Sequence, residues 1–307
     1  MKCVVVSFSQ TGQLKLALEH FCKPLKKAGW EIEFVEIKCK TGFPYPWSFW
    51  RFFETMPLCV LEKSYDLEYE MEAHATEKIK ESQLVVLGLQ PWFLSPSVPV
   101  NSFLNSRCAR ELCVKPVVAI VACRKMWWNA VQRVAHHVDR LGGIWKGYGV
   151  ISLKKGAFVS HLTTPLWLLT GKKNIGGKLI PSGALSEDLF LLYEEYGAQM
   201  VLHQAKIKDG QKADIFAQCS SMEWQFTYHY AEKWARLGFP FFARLINTAS
   251  KKGFLWKLVH RLAILSFLGY LIFMIVFMIP IIQCVTKVLQ LGRSNQNILF
   301  EREKLHT

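Results

Sequence analysis

Short apolar runs alternate along this chain with stretches whose apolar positions recur at helical spacing. Val4-Val5-Val6 lies in a continuous apolar run, the pattern of a strand buried on both faces of a parallel sheet. From Leu14 to Leu25, Leu16, Leu18, Phe21 and Leu25 follow a helical repeat; Ile32, Phe34, Val35 and Ile37 then mark a second strand over Glu31 to Ile37. Glu68 to Ser82 is rich in helix formers, Leu84 to Leu87 is another buried strand, and Pro99 suits the first turn of a helix bearing Val100, Phe103 and Leu104. Val117 to Val121 predicts a fourth strand, Asn129 to Leu141 a helix, and Tyr148 to Leu153 a fifth strand. Ser186-Glu187-Asp188 reads as an N-cap followed by first-turn acids, opening a helix to about Lys206. Met222 to Leu237 is helical again, with Trp224, Tyr228, Ala231 and Trp234.

Strands alternating with helices of this length predict parallel strands joined by right-handed crossovers. The expected fold is therefore α/β, a doubly wound five-stranded parallel sheet with its ligand site at the carboxyl ends of the strands. Two stretches exceed a minimal version. Phe43 to Pro57 (FPYPWSFWRFFETMP) is rich in proline and aromatic residues, and Gly156 to Gly183 is a long glycine-containing excursion. Both are expected to be lids or docking surfaces. The division that follows is an α/β domain over residues 1–206, a helical extension over 207–252, and a membrane anchor with a short tail over 253–307.

The anchor rests on composition. Leu262 to Thr286 runs for 25 residues without a charge, between Arg261 and Lys287. As a helix it would be ~38 Å long, against a hydrocarbon core of ~30 Å, so it predicts a membrane-crossing helix, with Pro280 allowing a kink or a re-entrant hairpin. Lys251, Lys252, Lys257 and Arg261 on its near side weakly place the domain on the cytoplasmic face of the inner (cell) membrane.

Charge changes the picture next. Lysine and arginine number 38 against 24 acids, a net +14, and from Arg124 to Lys178 ten cations face the single acid Asp139. Such an excess suits a lipid surface, a phosphorylated cofactor, an acidic carrier protein or nucleic acid. Nucleic acid is disfavoured because the cations form no recognisable module. The nine cysteines contain no C-x-x-C pair, so neither a metal site nor a disulfide framework is expected. Met1-Lys2-Cys3 leads directly into the first strand, without the apolar region of a signal peptide, and the body of the protein is expected in a reducing cytoplasm.

The candidate chemistry lies in three strand-to-helix loops. Ser9-Gln10-Thr11-Gly12-Gln13 offers hydroxyls, backbone N–H groups and the positive end of a helix dipole, a seat for a phosphate. It has no lysine and matches neither the G-x-x-x-x-G-K-[ST] nor the G-x-G-x-x-G spacing. After the third strand comes Gln90-Pro91-Trp92-Phe93-Leu94-Ser95-Pro96, and after the fourth Cys123-Arg124-Lys125-Met126-Trp127. Trp92, Phe93 and Trp127 could wall an isoalloxazine ring, and the loop backbones could bind its polar edge. Cys123 sits at a strand end near the expected flavin, although a buried structural cysteine is the commoner case. His161 is a weak candidate base, while His136 and His137 lie mid-helix and read as scaffold.

Residues 1 to about 206 resemble flavodoxin-like FMN proteins. More narrowly, VVVSFSQTGQL, FPYPWSFWRFFETMP, QPWFLSPSVPVNSFLNS, ACRKMW and TTPLWLLTGKK resemble the bacterial dialkylresorcinol biosynthesis proteins, often labelled condensing enzymes. The resemblance implies a flavodoxin-like fold and FMN on Ser9, Gln10, Thr11, Gly12 and Gln13, and less directly on Pro91, Trp92, Phe93 and Arg124 to Trp127. It implies oxidation of an alkylated cyclohexanedione to the aromatic resorcinol beside a ketosynthase partner. It transfers no catalytic acid or base. A membrane-bound NAD(P)H:quinone reductase would use the same fold and anchor, with the basic stretch attracting NADPH phosphates. A non-catalytic electron carrier or scaffold is the third reading, though carriers usually dock through acidic surfaces. For the oxidase, a lipid anchor and an aromatic insertion suit a substrate that partitions into membrane.

Overall fold

The structure is a computed structural model and describes residues 1–123, 125–151, 165–172, 187–217, 219, 226–249 and 253–290. Five strands, β1 (Lys2–Ser7), β2 (Glu31–Glu36), β3 (Leu84–Leu89), β4 (Pro116–Ala122) and β5 (Ile144–Ile151), form one sheet in the order β2-β1-β3-β4-β5. Every pairing is parallel. β3 is buried along its whole length and β4 at all but its first residue, which is why both read as unbroken apolar runs.

Helices cover both faces. On one side α1 (Gln13–Lys27) and α7 (Glu187–Leu202) enclose a core of Val5, Leu18, Phe21, Val86, Ile120 and Tyr196. On the other, α3 (Tyr69–Glu81), α4 (Val98–Leu104) and α5 (Trp128–Arg140) pack on Val4, Val6, Leu87, Val121 and Tyr148. The alternation of the two sets along each strand follows from the period-two side-chain geometry of a pleated sheet.

Three elements depart from the periodic expectation. The aromatic insertion holds a helix, α2 (Phe49–Val60), whose N-terminus is capped by Ser48 Oγ accepting the Arg51 N–H at 3.3 Å. A short helix, α6, occupies residues 165–170 within the second excursion. β5 starts at Ile144 rather than Tyr148, because a bulge at Lys146 and Gly147 splits its apolar pattern: Val117 pairs with Trp145, but Ala119 pairs with Tyr148. Gly147 takes φ +107°, and a Cβ there would lie 2.7 Å from Asp214 Oδ1. The bulge points Lys146 into a fully buried site, where Nζ donates to Asp209 Oδ1 and to the carbonyls of Lys206 and Gln211. Lys146 thereby pins α8 (Gln204–Lys208) and the turn after it to the sheet edge.

The last helices form a bundle. α9 (Phe226–Ala249) runs on through Gly238 and Pro240, past the expected end at Leu237, because Phe239, Ala243 and Ile246 are buried in that bundle. After it α10 (Phe254–Phe273), a π turn at Met274–Met278 and α11 (Ile279–Gln290) make one long helix. The wide turn lies just before Pro280, whose ring displaces the carbonyl four residues earlier. The stretch Phe254–Val285, 32 residues, is long and apolar enough to cross a membrane by length and composition.

Lys146→Met should lower stability by about 2–3 kcal/mol, because two carbonyls lose their buried donor. Urea denaturation reads this directly; an unchanged midpoint would mean the bulge anchors nothing.

Candidate functional site

β1 and β3 are neighbours although their helices leave to opposite faces, so the crevice between their carboxyl ends is the topological switch point. Ser9 to Gln13 stands on one side of it and Gln90 to Ser97 on the other. At the head of α1, Gly12 adopts the left-handed conformation (φ 79°, ψ −14°), with open space where a Cβ would be and no cap from its own position. Ser9 Oγ accepts the Lys15 N–H at 3.1 Å, which closes the loop and keeps the hydroxyl proton available. Gln10 Nε2 donates to the Pro44 carbonyl at 3.4 Å and ties the loop to the aromatic insertion. Gln13 is buried.

Four polar atoms on this side of the fold are shut off from solvent with no hydrogen-bond partner among the described residues: Thr11 Oγ1, Trp47 Nε1, Gln90 Oε1 and Ser97 Oγ. Orphaned buried polar groups cost on the order of 1–3 kcal/mol each, so a ligand in the crevice that partnered these atoms would gain from doing so.

An aromatic wall stands beside these atoms. The edges of Phe8, Phe43 and Trp47 surround Trp92, with ring centroids at 5.9, 5.5 and 5.5 Å. Trp47 is fixed from behind by its backbone N–H donating to the Leu168 carbonyl of α6 at 2.9 Å. Pro91 is half-buried between Gln90 and this wall. Trp92 and Ser95 exchange backbone hydrogen bonds at 2.9 and 3.0 Å across a tight turn whose central residues, Phe93 (φ 48°) and Leu94 (φ 61°), both have positive φ. Neither is glycine, so the turn stores strain on the order of 1 kcal/mol per residue. Three contacts hold it: Phe93 against Phe52 at 5.0 Å, Leu94 at the edge of the helical bundle, and Asn129 Nδ2 donating to the Leu94 carbonyl at 2.6 Å.

The loop after β4 is differently employed. Lys125 is buried with its ammonium 5.5 Å from the Tyr228 ring of α9, Met126 packs against Ile279 and Ile282, and Trp127 lies in the sheet core 5.3 Å from Tyr148. Trp127 therefore packs as scaffold behind the loop, while Trp92 belongs to the wall at the crevice. Cys123 is half-buried, and burial, reinforced by the nearby Glu232 carboxylate, pushes its thiol well up, so it is no thiolate at neutral pH. Arg124 and His161 lie outside the described residues. His137 faces Glu62 at 3.3 Å, and Arg133 joins the same carboxylate at 2.8 Å, stapling α5 to the end of α2. The His137 contact, the cost of burial notwithstanding, and Arg133 hold Glu62 below its ordinary value. No group of three or more potential metal ligands occurs among the described residues.

Phe8 and Trp47 lie inside quoted segments without having been singled out, and Glu232 carries no local motif in the sequence. Glu232 is the only acid in α9, which is the one trace it leaves there. Its carboxylate is buried and accepts the N–H groups of Trp128 (3.2 Å) and Asn129 (2.8 Å), capping α5 from a distant helix. His229 packs on Trp128 at 5.6 Å beside it.

A five-stranded parallel sheet in this order, with helices on both faces, is a flavodoxin-like fold. Among solved structures the chain is similar to a flavodoxin from the domain Archaea (10% identity, 68% of this chain and 99% of that one, TM-score 0.38). It is also similar to a putative flavoprotein from Bacteroides eggerthii (16%, 48% and 87%, TM-score 0.36) and to a flavone reductase (10%, 70% and 66%, TM-score 0.40). No family model matches the chain, and no curated protein matches it.

Burial raises the Glu232 pKa from 4.5 to about 7, against the lowering effect of the Asn129, Trp128 and Trp127 N–H groups and Arg236. The folded state thus holds this proton where an unfolded chain releases it. Its stabilising effect is complete below pH 4.5 and is lost as pH rises to about 7. Glu232→Gln should match the wild type at acid pH and exceed it at pH 8 by about 3 kcal/mol. Thermal melts of both proteins across this range check the difference; parallel profiles would refute it.

Proposed function

We propose that this chain is a membrane-associated, FMN-dependent oxidoreductase acting on a lipophilic cyclic substrate; its coarser form is a flavin redox or electron-carrier role. The observation that carries the reading is the unpartnered, buried Thr11 Oγ1 beside left-handed Gly12 at the head of α1. A phosphate monoester there would take hydrogen bonds from Thr11, from Ser9 and from the backbone N–H groups of the loop, with the helix dipole in place of a lysine. Gln90 Oε1 and Trp47 Nε1 offer an acceptor and a donor to the rest of the ligand. FMN bound in this crevice supplies acceptance of the two hydrogens, as hydride and proton, that a cyclic dione loses on becoming aromatic.

The chain's own contribution is to exclude water and to orient. Trp92, ringed by Phe8, Phe43 and Trp47, gives a flat apolar wall, and Phe52 and Phe93 continue it towards the apolar helices. That continuity favours a substrate with alkyl chains. The resemblance noted in the sequence names one: an alkylated cyclohexanedione, aromatised to a dialkylresorcinol beside a ketosynthase partner. The substrate's own acidity, at the carbon between its two carbonyls, makes a weak base sufficient.

Purification of the full chain in mild detergent should give a stoichiometric flavin absorption spectrum whose released chromophore is FMN. Thr11→Val removes one hydroxyl bonded to a charged phosphate, a change of about 1.5–3 kcal/mol, and should weaken FMN binding about 10- to 100-fold. Titration by flavin fluorescence reads it. A colourless wild-type protein, or an unaltered dissociation constant in Thr11→Val, removes the basis of the proposal.

A further inference from the structure

The long apolar helix does not stand clear of the domain it would anchor. Arg261 lies over Trp50 of α2 at 5.3 Å, His260 is 3.5 Å from Glu54, and Phe267 meets Phe53 at 6.2 Å. Further along, Ile279 and Ile282 share a cluster with Ala231 of α9 and Met126 of the β4–α5 loop. These contacts extend from residue 260 to residue 282, about 33 Å of helix, more than the ~30 Å hydrocarbon core.

An upright helix docked in this way would draw α2, the Phe93–Leu94 turn and α9 into the hydrocarbon. α9 alone would take Glu232, Lys233, Arg236 and Arg244 with it, and each charge at mid-bilayer is costly. The exposed surface points to another arrangement. Along α10 and the turn after it, Leu258, Leu262, Leu265, Ile272 and Val276 are exposed on one side, and exposed Leu255, Phe273 and Phe277 widen that apolar face. On α9, Trp234, Leu237, Phe241 and Leu245 likewise share one side, Leu237 being 73% exposed. Every exposed charge on the described residues of α9 to α11 is positive: Lys233, Arg236, Arg244, Lys257, Arg261 and Lys287. Apolar stripes with aromatic residues, bordered by cations and no exposed acid, fit the boundary of an anionic leaflet.

We propose that α9 and the helix Phe254–Gln290 lie in the plane of one leaflet and seat the flavodoxin-like domain on a membrane rich in anionic lipid, without crossing it. The inference deepens the membrane part of the function proposed above. It keeps both chain termini on one side of the bilayer and sets the Phe93–Leu94 turn, and with it the aromatic wall, at the lipid boundary.

The test uses the full chain with one epitope before Met1 and another after Thr307, expressed in a bacterial host. Both epitopes should resist protease in intact spheroplasts, and both should be cleaved in inverted membrane vesicles. Cleavage of the C-terminal epitope alone in spheroplasts overturns the in-plane arrangement and leaves membrane association standing. Recovery of the chain in the soluble fraction overturns both. Detergent-purified protein diluted onto preformed vesicles should bind phosphatidylcholine–phosphatidylglycerol vesicles at least tenfold better than phosphatidylcholine alone; equal binding overturns the anionic-surface assignment. None of these readouts depends on flavin, so the FMN reading stands or falls separately on its spectrum.

Discussion

A parallel sheet sends every strand-to-helix loop out at the same edge, and that constraint organises the rest of this molecule. The seat after β1, the strained turn after β3 and the Lys125–Trp127 loop after β4 share one edge of the sheet. The additions to the basic fold gather there too. The insertion after β2 folds back over the β1 loop through Gln10 and Pro44, α6 braces it through Trp47, and α9 closes over the β4 loop. An edge that presents a ligand crevice is thus also the edge on which the helical bundle is built.

The two tasks are joined through polar groups placed where apolar packing alone would not fix position. Glu232 does for α5 what its own N-cap residue, Trp127, cannot: it satisfies first-turn N–H groups in a buried place. The cost is a carboxyl removed from water, visible in its upward shift. The turn at Phe93 and Leu94 is the counterpart on β3. Two side chains at positive φ persist only where the surroundings over-determine them, and here Phe52, Asn129 and the bundle do so. Loosening α9 would therefore disturb both loops together, which couples the bundle to the crevice.

This explains what could be read from the sequence and what could not. The strands and the long helices were legible because burial on both faces, or on one stripe, is a local periodic signal. The loop from Ser9 to Gly12 was legible as a helix start, since Gly12 and the Ser9 hydroxyl act within a few residues of it. β5 was misplaced at its start because Lys146 and Gly147 interrupt its apolar run, and the burial of Lys146 depends on oxygens about sixty residues later. α2 was hidden by aromatic and proline content that reads as loop. The β4 loop was read only as a flavin loop, and the contacts of Lys125 with Tyr228, of Met126 with the Ile279–Ile282 cluster and of Trp127 with Tyr148 were not foreseen. Such assignments are settled by distant partners, for which no spacing rule exists.

Charge follows the same division. The chain is strongly basic, yet the seat at Ser9 to Gln13 carries no cation, while the bundle's exposed charges on its described residues are all positive. A neutral seat recognises an anion by geometry: hydroxyls, amides and a helix dipole act only within hydrogen-bond reach, so a misplaced anion gains little. Cations at a broad surface act over about a Debye length, ~8 Å at physiological salt, and need no fixed partner. In the function proposed above, long-range charge on the apolar bundle would serve attraction to a surface, and short-range donors in the crevice recognition of a ligand. On that proposal, the same lysines set around the crevice would trap any phosphate there and would leave the bundle only its apolar face with which to meet a membrane.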